Sequence, residues 1–164
     1  MIELPGIKAK RLKVGLPFNL GSLEFEANEA EQRAAWSLYV ELTTRIAVQT
    51  LDTHEGLLRE ALNSLYSLFG LTRQILRDAG PAVAHGPESF GPVAIRVLNE
   101  GLRPFTGKWH PLLKDYEEQR PPDVPPLEHE HNWEYFSQMR QELVELQKQM
   151  QIYADVLAEI SGAK

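Results

Sequence analysis

The sequence predicts an all-α protein: a four-helix, largely up-and-down bundle with a kinked third helix and an extended, β-like N-terminal arm. Three observations carry that prediction. Four separate stretches have helical periodicity, and in three of them apolar residues recur at alternating steps of three and four, which lines one face of an α-helix. Segments rich in Gly, Pro and Asp divide these stretches: "TLDTHEG" at 50–56, "DAGPAVAHGPESFGP" at 78–92 and "RPPDVPPL" at 120–127. Ahead of the first stretch the apolar period shortens to two, the period of a strand.

The arm is assigned to residues 1–27 and the bundle, as a single domain, to residues 28–164. Within the arm, "RLKVGLPFNLGSLEFEA" alternates Leu12, Val14, Leu16, Phe18 and Leu20 with Lys13, Gly15, Pro17 and Asn19, and "NLGS" offers a turn toward Leu23 and Phe25. An isolated hairpin is marginal in water, so the arm must pack on the helices or pair with another chain. Pro17 confines it to a sheet edge. The first helix is predicted from about Glu29 to Gln49, with Trp36, Leu38, Tyr39, Val40, Leu42 and Ile46 on more than one face. The second is predicted from about 53 to 79 on Leu58, Leu62, Leu65, Phe69, Thr72 and Leu76, opened by Asp52 three before Glu55 in the capping-box arrangement. The third carries Ile95, Leu98, Leu102, Phe105, Trp109, Leu112 and Tyr116, and it keeps this seam through Pro104 and Pro111. A proline inside a helix removes the bond to the carbonyl four residues back, here those of Glu100 and Gly107. The third helix is therefore predicted to be kinked or twice broken, with one face still turned to the core. Four prolines in the six residues 121–126 make the next connector stiff and extended. The fourth helix places Phe136, Met139, Leu143, Leu146, Met150, Tyr153, Leu157 and Ile160 in an uninterrupted heptad seam.

With 164 residues, 43% of them hydrophobic, the chain has material for one core of ordinary size. Charged residues make up 24% and the formal net charge is −6, which argues against a general affinity for nucleic acid or an anionic membrane. The charge is uneven. Lys8, Lys10, Arg11 and Lys13 stand against Glu3 alone, a local +3, so that the remainder carries −9. The absence of cysteine excludes a disulfide framework, a thiol nucleophile and a thiolate metal site. No apolar run approaches the roughly 20 residues of a membrane span, and the start lacks the basic-then-apolar order of a signal peptide. The expected location is the cytoplasm, with no transmembrane segment and no cofactor.

Two short patterns bear on chemistry. Arg103 and His110 stand seven apart on a helix flank shared with Arg96. An imidazole can transfer a proton while a guanidinium holds a phosphate bidentately. The spacing of Arg, six residues and His in a helical bundle resembles the motif of the HEPN ribonucleases, in which the Arg and His act on a scissile RNA phosphate in a cleft between two subunits. The resemblance implies Arg103 and His110 as a catalytic pair, and it departs at Pro104, where that family often has a polar residue. The plainer reading is a basic helix flank that contacts acidic neighbours. In "EHEH" at 128–131, Glu128 and His131 have the Glu-x-x-His spacing of di-iron bundles, but such a site takes two of these motifs and two further glutamates. The chain has one, at a helix start after prolines, so no metal site is assigned. The helix dipole is reason enough for acids in a first turn.

The arm supplies a candidate interface: Lys8, Lys10, Arg11 and Lys13 for charge, and Val14, Leu16 and Phe18 for apolar contact. Its cations alone would give only weak, salt-sensitive phosphate binding. Trp36, Trp109 and Trp133 are read as core or interface anchors. No phosphate-cradling Gly loop, Gly-x-Ser-x-Gly elbow or His-Glu-x-x-His helix occurs. The string "LRPFTGKWHPLL", with "AAWSLYVELTTRIA" leading into "LLREALNSLYSLFGLTRQIL", resembles a group of uncharacterised bacterial helical-bundle proteins associated with conflict or anti-phage gene neighbourhoods. That likeness implies a setting and assigns no residue a role. The expectation is a non-enzymatic adaptor or regulatory subunit that engages a protein partner or a second copy of itself, with the bundle ribonuclease as its rival.

Overall fold

The structure is a computed structural model, and it describes residues 11–45 and 56–163. The alternation of the arm builds a hairpin: β1 (Arg11–Gly15) pairs antiparallel with β2 (Ser22–Glu26), with Val14 opposite Leu23 and Lys13 opposite Glu24. At its tip Leu16 N–H donates to the Gly21 carbonyl at 2.8 Å, and Leu20 N–H donates to the Pro17 carbonyl at 3.2 Å. Phe18 and Asn19 both lie in the left-handed region, at φ +58° and +57°, as a type I′ turn requires of its central pair. For Asn this is cheap; for Phe it costs about 1–2 kcal/mol and must be repaid by contacts. Val14, Leu16 and Leu23 are buried, and β1 packs on the last helix of the chain.

The remainder is mostly helical. In order come α1 (Glu29–Thr43), α2 (Leu58–Ala79), a 3₁₀ turn (Pro81–Val83), α3 (Phe90–Arg96), a π-helical turn (Val97–Leu102), α4 (Arg103–Glu118), α5 (Pro126–His131) and α6 (Phe136–Ser161). α1 packs chiefly on α6 and also on α2, while α4 packs on α2 and α5. The heptad of α6 is buried through Met139, Leu143, Leu146, Met150, Tyr153 and Leu157. No helix among the described residues is long and apolar enough to cross a membrane.

Several elements differ from the sequence expectation, each for a local reason. α1 ends at Thr43, with Thr44 as its C-cap, short of the predicted Gln49; residues 46–49 of that prediction, and the Asp52 and Glu55 box, lie outside the described residues. α2 starts at Leu58, and its N-cap, Leu57, makes no side-chain bond. Its cap comes from far away: Leu58 N–H donates to Glu130 Oε1 at 2.8 Å and Arg59 N–H to Glu130 Oε2 at 3.3 Å. The proline connector is not extended throughout, because Val124 N–H closes a turn on the Pro121 carbonyl at 3.1 Å and α5 begins at Pro126. In the third stretch the chain stays helical from 90 to 118, and the irregularity is the π turn rather than a break. Arg103 N–H reaches back five residues to the Leu98 carbonyl, so the ladder changes register just before Pro104, which has no N–H to give. The seam holds through that turn at Leu98, Leu102, Phe105 and Trp109 and departs at its ends: Ile95 and Leu112, predicted inward, are 48% and 39% exposed, and Leu113 is fully buried instead.

Two buried carboxylates join the helices. Asn28 and Glu31 form a reciprocal capping box at the start of α1, with Glu31 N–H donating to Asn28 Oδ1 at 2.8 Å and Asn28 N–H to Glu31 Oε1 at 3.2 Å. Fully buried Glu31 also accepts from the Phe90 N–H that opens α3, at 2.8 Å, and from His85 Nε2 at 2.8 Å. Glu130 serves α2 in the same way. Burial pushes its carboxyl above the ordinary value of 4.5 and the nearby Glu117 adds to this, while the N–H groups of Leu58 and Arg59 and the Arg59 charge pull it back.

Leu143→Asp puts an unpaired charge in the core and is expected to cost roughly 3 kcal/mol or more. The check is the urea midpoint followed by circular dichroism, and an unshifted midpoint would mean that the seam is not core. Glu130→Leu leaves two helix-start N–H groups without an acceptor, an expected loss of about 2–4 kcal/mol. Glu130→Gln, which keeps one acceptor, should lose less and should change the pH profile. Because its folded pKa is raised, Glu130 contributes stability that is present below about pH 4.5 and is lost as pH rises through the raised value. Urea midpoints measured across that window should fall with pH more steeply in the native protein than in the Gln variant.

Candidate functional site

The hairpin tip meets the π turn at one point. Phe18 N–H donates to Gln149 Oε1 of α6 at 2.7 Å, and the Phe18 ring lies so close to Gly101 that a Cβ there would stand 2.5 Å from it. Gly101 is therefore required by the packing of Phe18, quite apart from its place in a helix. Around this contact the tip, the π turn, the start of α4 and the middle of α6 enclose a groove of about 700 Å³. Phe18, Gly101, Pro104, Phe105 and Leu146 give it an apolar lining. Glu100, Lys108, Glu142 and Glu145 supply charge, and Asn19, Gln138, Gln141 and Gln149 supply primary amides. Lys108 Nζ donates to both carboxylate oxygens of Glu142 at 2.9 Å and lies over the Trp109 ring, 4.6 Å from its centroid.

A second polar constellation sits where α2, α4 and α5 meet. Arg59 Nε donates to both Glu117 carboxylate oxygens at 3.0 Å, and its Nη1 stands 3.2 Å from His110 Nδ1. A guanidinium only donates, so that bond makes Nδ1 the acceptor and places the His110 proton on Nε2. The imidazole also packs edge-on against Tyr66, with ring centroids 5.3 Å apart. Beside this cluster His129 stacks on Tyr116 at 3.9 Å, donates from Nε2 to the Tyr116 carbonyl at 2.7 Å and accepts the Tyr116 hydroxyl on its own carbonyl at 2.6 Å. Trp133 stacks on Tyr116 at 5.4 Å and meets Trp109 edge-on at 5.9 Å. These rings make one interlocked pile.

The residues singled out from sequence are distributed as follows. Arg103 donates from Nε to Asn99 Oδ1 at 3.2 Å and lies 5.0 Å from the Phe69 ring centre, at a hollow of about 220 Å³ that His110 does not line. Seven residues along a helix is an axial separation of about 10 Å, and the two side chains hold different partners. Lys8 and Lys10 lie outside the described residues. Arg11 pairs with Glu24 at 3.0 Å, and Lys13 is exposed opposite that same Glu24. Val14 and Leu16, read as a partner surface, are buried in this chain's own core, because β2 and α6 cover the face that alternation marked as apolar. Phe18 alone of that set stands at the groove. Glu128 and His131 are exposed, His131 against the Phe136 ring at 4.7 Å, and no cluster of three or more potential metal ligands occurs among the described residues. Trp109 and Trp133 are buried anchors, whereas Trp36 is 50% exposed on α1 and stacks on Tyr39 at 5.7 Å.

Comparison of the chain with protein-family models, with curated proteins and with solved structures finds no match. Sequence reasoning missed Arg59, Glu117, Glu130 and Glu31. Only the last carried a signal, since Asn28 three before Glu31 is itself a capping-box pattern.

Gly101→Ala is expected to lower stability by about 1–3 kcal/mol through collision with Phe18, although Ala is the better helix former. In a Phe18→Ala background the same change should be neutral or stabilising by up to about 1 kcal/mol. A double-mutant cycle from denaturant melts measures this, and additive effects would mean that ring and glycine do not touch.

Proposed function

We propose that the protein is a non-enzymatic interaction module, an adaptor or regulatory subunit, and that the groove between the hairpin tip, the π turn and α6 takes an extended, basic segment of a protein partner. The single observation that carries the reading is the groove itself. It is built by a left-handed Phe18 and by a π turn, two features that cost conformational free energy and that gather at functional surfaces more often than elsewhere. Its lining carries Glu100, Glu142 and Glu145, which pair with Arg96, Lys108 and Lys148 in this chain, and a basic segment of a partner offers the same carboxylates a replacement for those exposed cations. Its primary amides each offer a donor and an acceptor, which suits the alternating N–H and C=O groups of a peptide main chain. On this reading α1, α2, the 90–118 helix and α6 act as the four members of a largely up-and-down bundle, and the remaining elements shape its surface. The setting we infer is a bacterial conflict or defence system, on the sequence likeness alone. RNA cleavage draws no comparable support, since Arg103 and His110 hold separate partners.

The test is site-specific photocrosslinking in a native host, with the probe at Gln141 in the groove and, as control, at Arg33 on α1. A discrete protein adduct at Gln141 that disappears in a variant of the exposed groove residue Glu145, Glu145→Arg, with unchanged circular dichroism is the expected result. Identical adducts at both positions, or a groove adduct untouched by Glu145→Arg, would overturn the proposal.

A further inference from the structure

We infer that the hollow between α2 and α4 is a binding site for a phosphate monoester, held by Arg73 and Arg103 with its organic group against Tyr66. The hollow is lined by Tyr66, Phe69, Arg73, Arg103, Thr106 and Gly107 and encloses about 220 Å³. Both of its charged residues are arginines and no carboxylate lines it, on a chain whose formal net charge is −6. A local charge of that sign, against the overall one, calls for a ligand.

Arg103 is set in place before any ligand arrives. Asn99 fixes its Nε at 3.2 Å and the Phe69 ring lies beneath the guanidinium at 5.0 Å, which leaves both terminal nitrogens without a partner among the described residues. Arg73 forms no ion pair among the described residues and enters the hollow from the facing helix. Two guanidiniums match the charge of a phosphate monoester, about −1.5 to −2 at neutral pH, better than the single charge of a carboxylate. Thr106 returns its hydroxyl to the Leu102 and Arg103 carbonyls and Tyr66 donates to the Thr106 carbonyl at 3.4 Å, so the wall is tied across both helices. Tyr66 is 39% exposed, which leaves ring surface for an organic group on the phosphate. Gly107 has open space over its Cα, so nothing blocks approach from α4. The site binds without making or breaking a bond, and it needs neither His110 nor the groove beside α6.

The experiment is a titration of the full chain with phenyl phosphate, inorganic phosphate and inorganic sulfate, followed by the amide NMR shifts of Thr106 and Gly107. Saturable shifts are expected with phenyl phosphate, weaker ones with inorganic phosphate and the weakest with sulfate. Arg73→Ala and Arg103→Ala, both exposed and expected to leave the circular dichroism unchanged, should each weaken phenyl phosphate binding about tenfold or more, and Arg103→Lys should not restore it because a lysine cannot bind bidentately. The proposal is overturned by equal binding of all three anions, by shifts spread over unrelated arginines, by variants that bind as the native protein does, or by no saturation at millimolar concentration.

Discussion

The start of a helix presents N–H groups that its own backbone cannot satisfy, and in this chain two buried carboxylates answer that need from elsewhere in the sequence. Glu31 accepts the Asn28 N–H at the start of α1 and caps α3 across 59 residues, and Glu130 caps α2 across 72. Neither Leu57 nor Ser89, the N-cap residues of α2 and α3, provides a side-chain cap of its own. Burying a carboxylate is costly, and the raised pKa of Glu130 is a direct sign of that cost. The cost is offset because each carboxylate oxygen meets an oriented N–H and the positive end of a helix dipole. The arrangement orders the molecule, for α3 can start only where Glu31 lies and α2 only where Glu130 lies.

The surface features depend on that order. With α3 anchored at Phe90, the helix that continues from it must carry its apolar seam past Pro104, and the π turn does this by letting the ladder slip one residue where proline has no N–H. The slip brings Gly101 beneath Phe18, and the absence of a side chain there admits the ring. Phe18 holds a left-handed backbone that its side chain disfavours, and the bond to Gln149 with the ring contact offsets it. The groove and the arginine hollow lie on two sides of this one helix: Pro104, Phe105 and Lys108 line the first, and Arg103, Thr106 and Gly107 the second.

Periodicity made the helical character and the heptad of α6 legible, because each depends on residues close in sequence. Even the hairpin was visible in the alternation of Leu12, Val14 and Leu16, although its apolar face turned out to serve this chain's own core. What stayed hidden was non-local. Nothing near Leu57 reveals that Glu130 will cap α2, and nothing near Arg59 reveals that it will hold Glu117 and His110. The inward turn of Leu113 in place of Leu112 was hidden differently: a seam counted at alternating three and four assumes 3.5 residues per turn, and a straight α-helix at 3.6 drifts off that count toward the end of α4. Arg103 and His110 looked paired because spacing reports one helix face, whereas they hold different partners: Asn99 and the Phe69 ring for the first, Arg59 and Tyr66 for the second.

The claim that carried carboxylates hold the helix starts is tested most directly by native-state hydrogen exchange at the Leu58, Arg59 and Phe90 amides. N–H groups at an ordinary helix start exchange through local fraying, whereas these three should be protected to the level of the core amides of α6 and should exchange only on global unfolding. Rapid exchange of the three amides while α6 stays protected would contradict the account, because it would show that the helix starts open without disturbing the core.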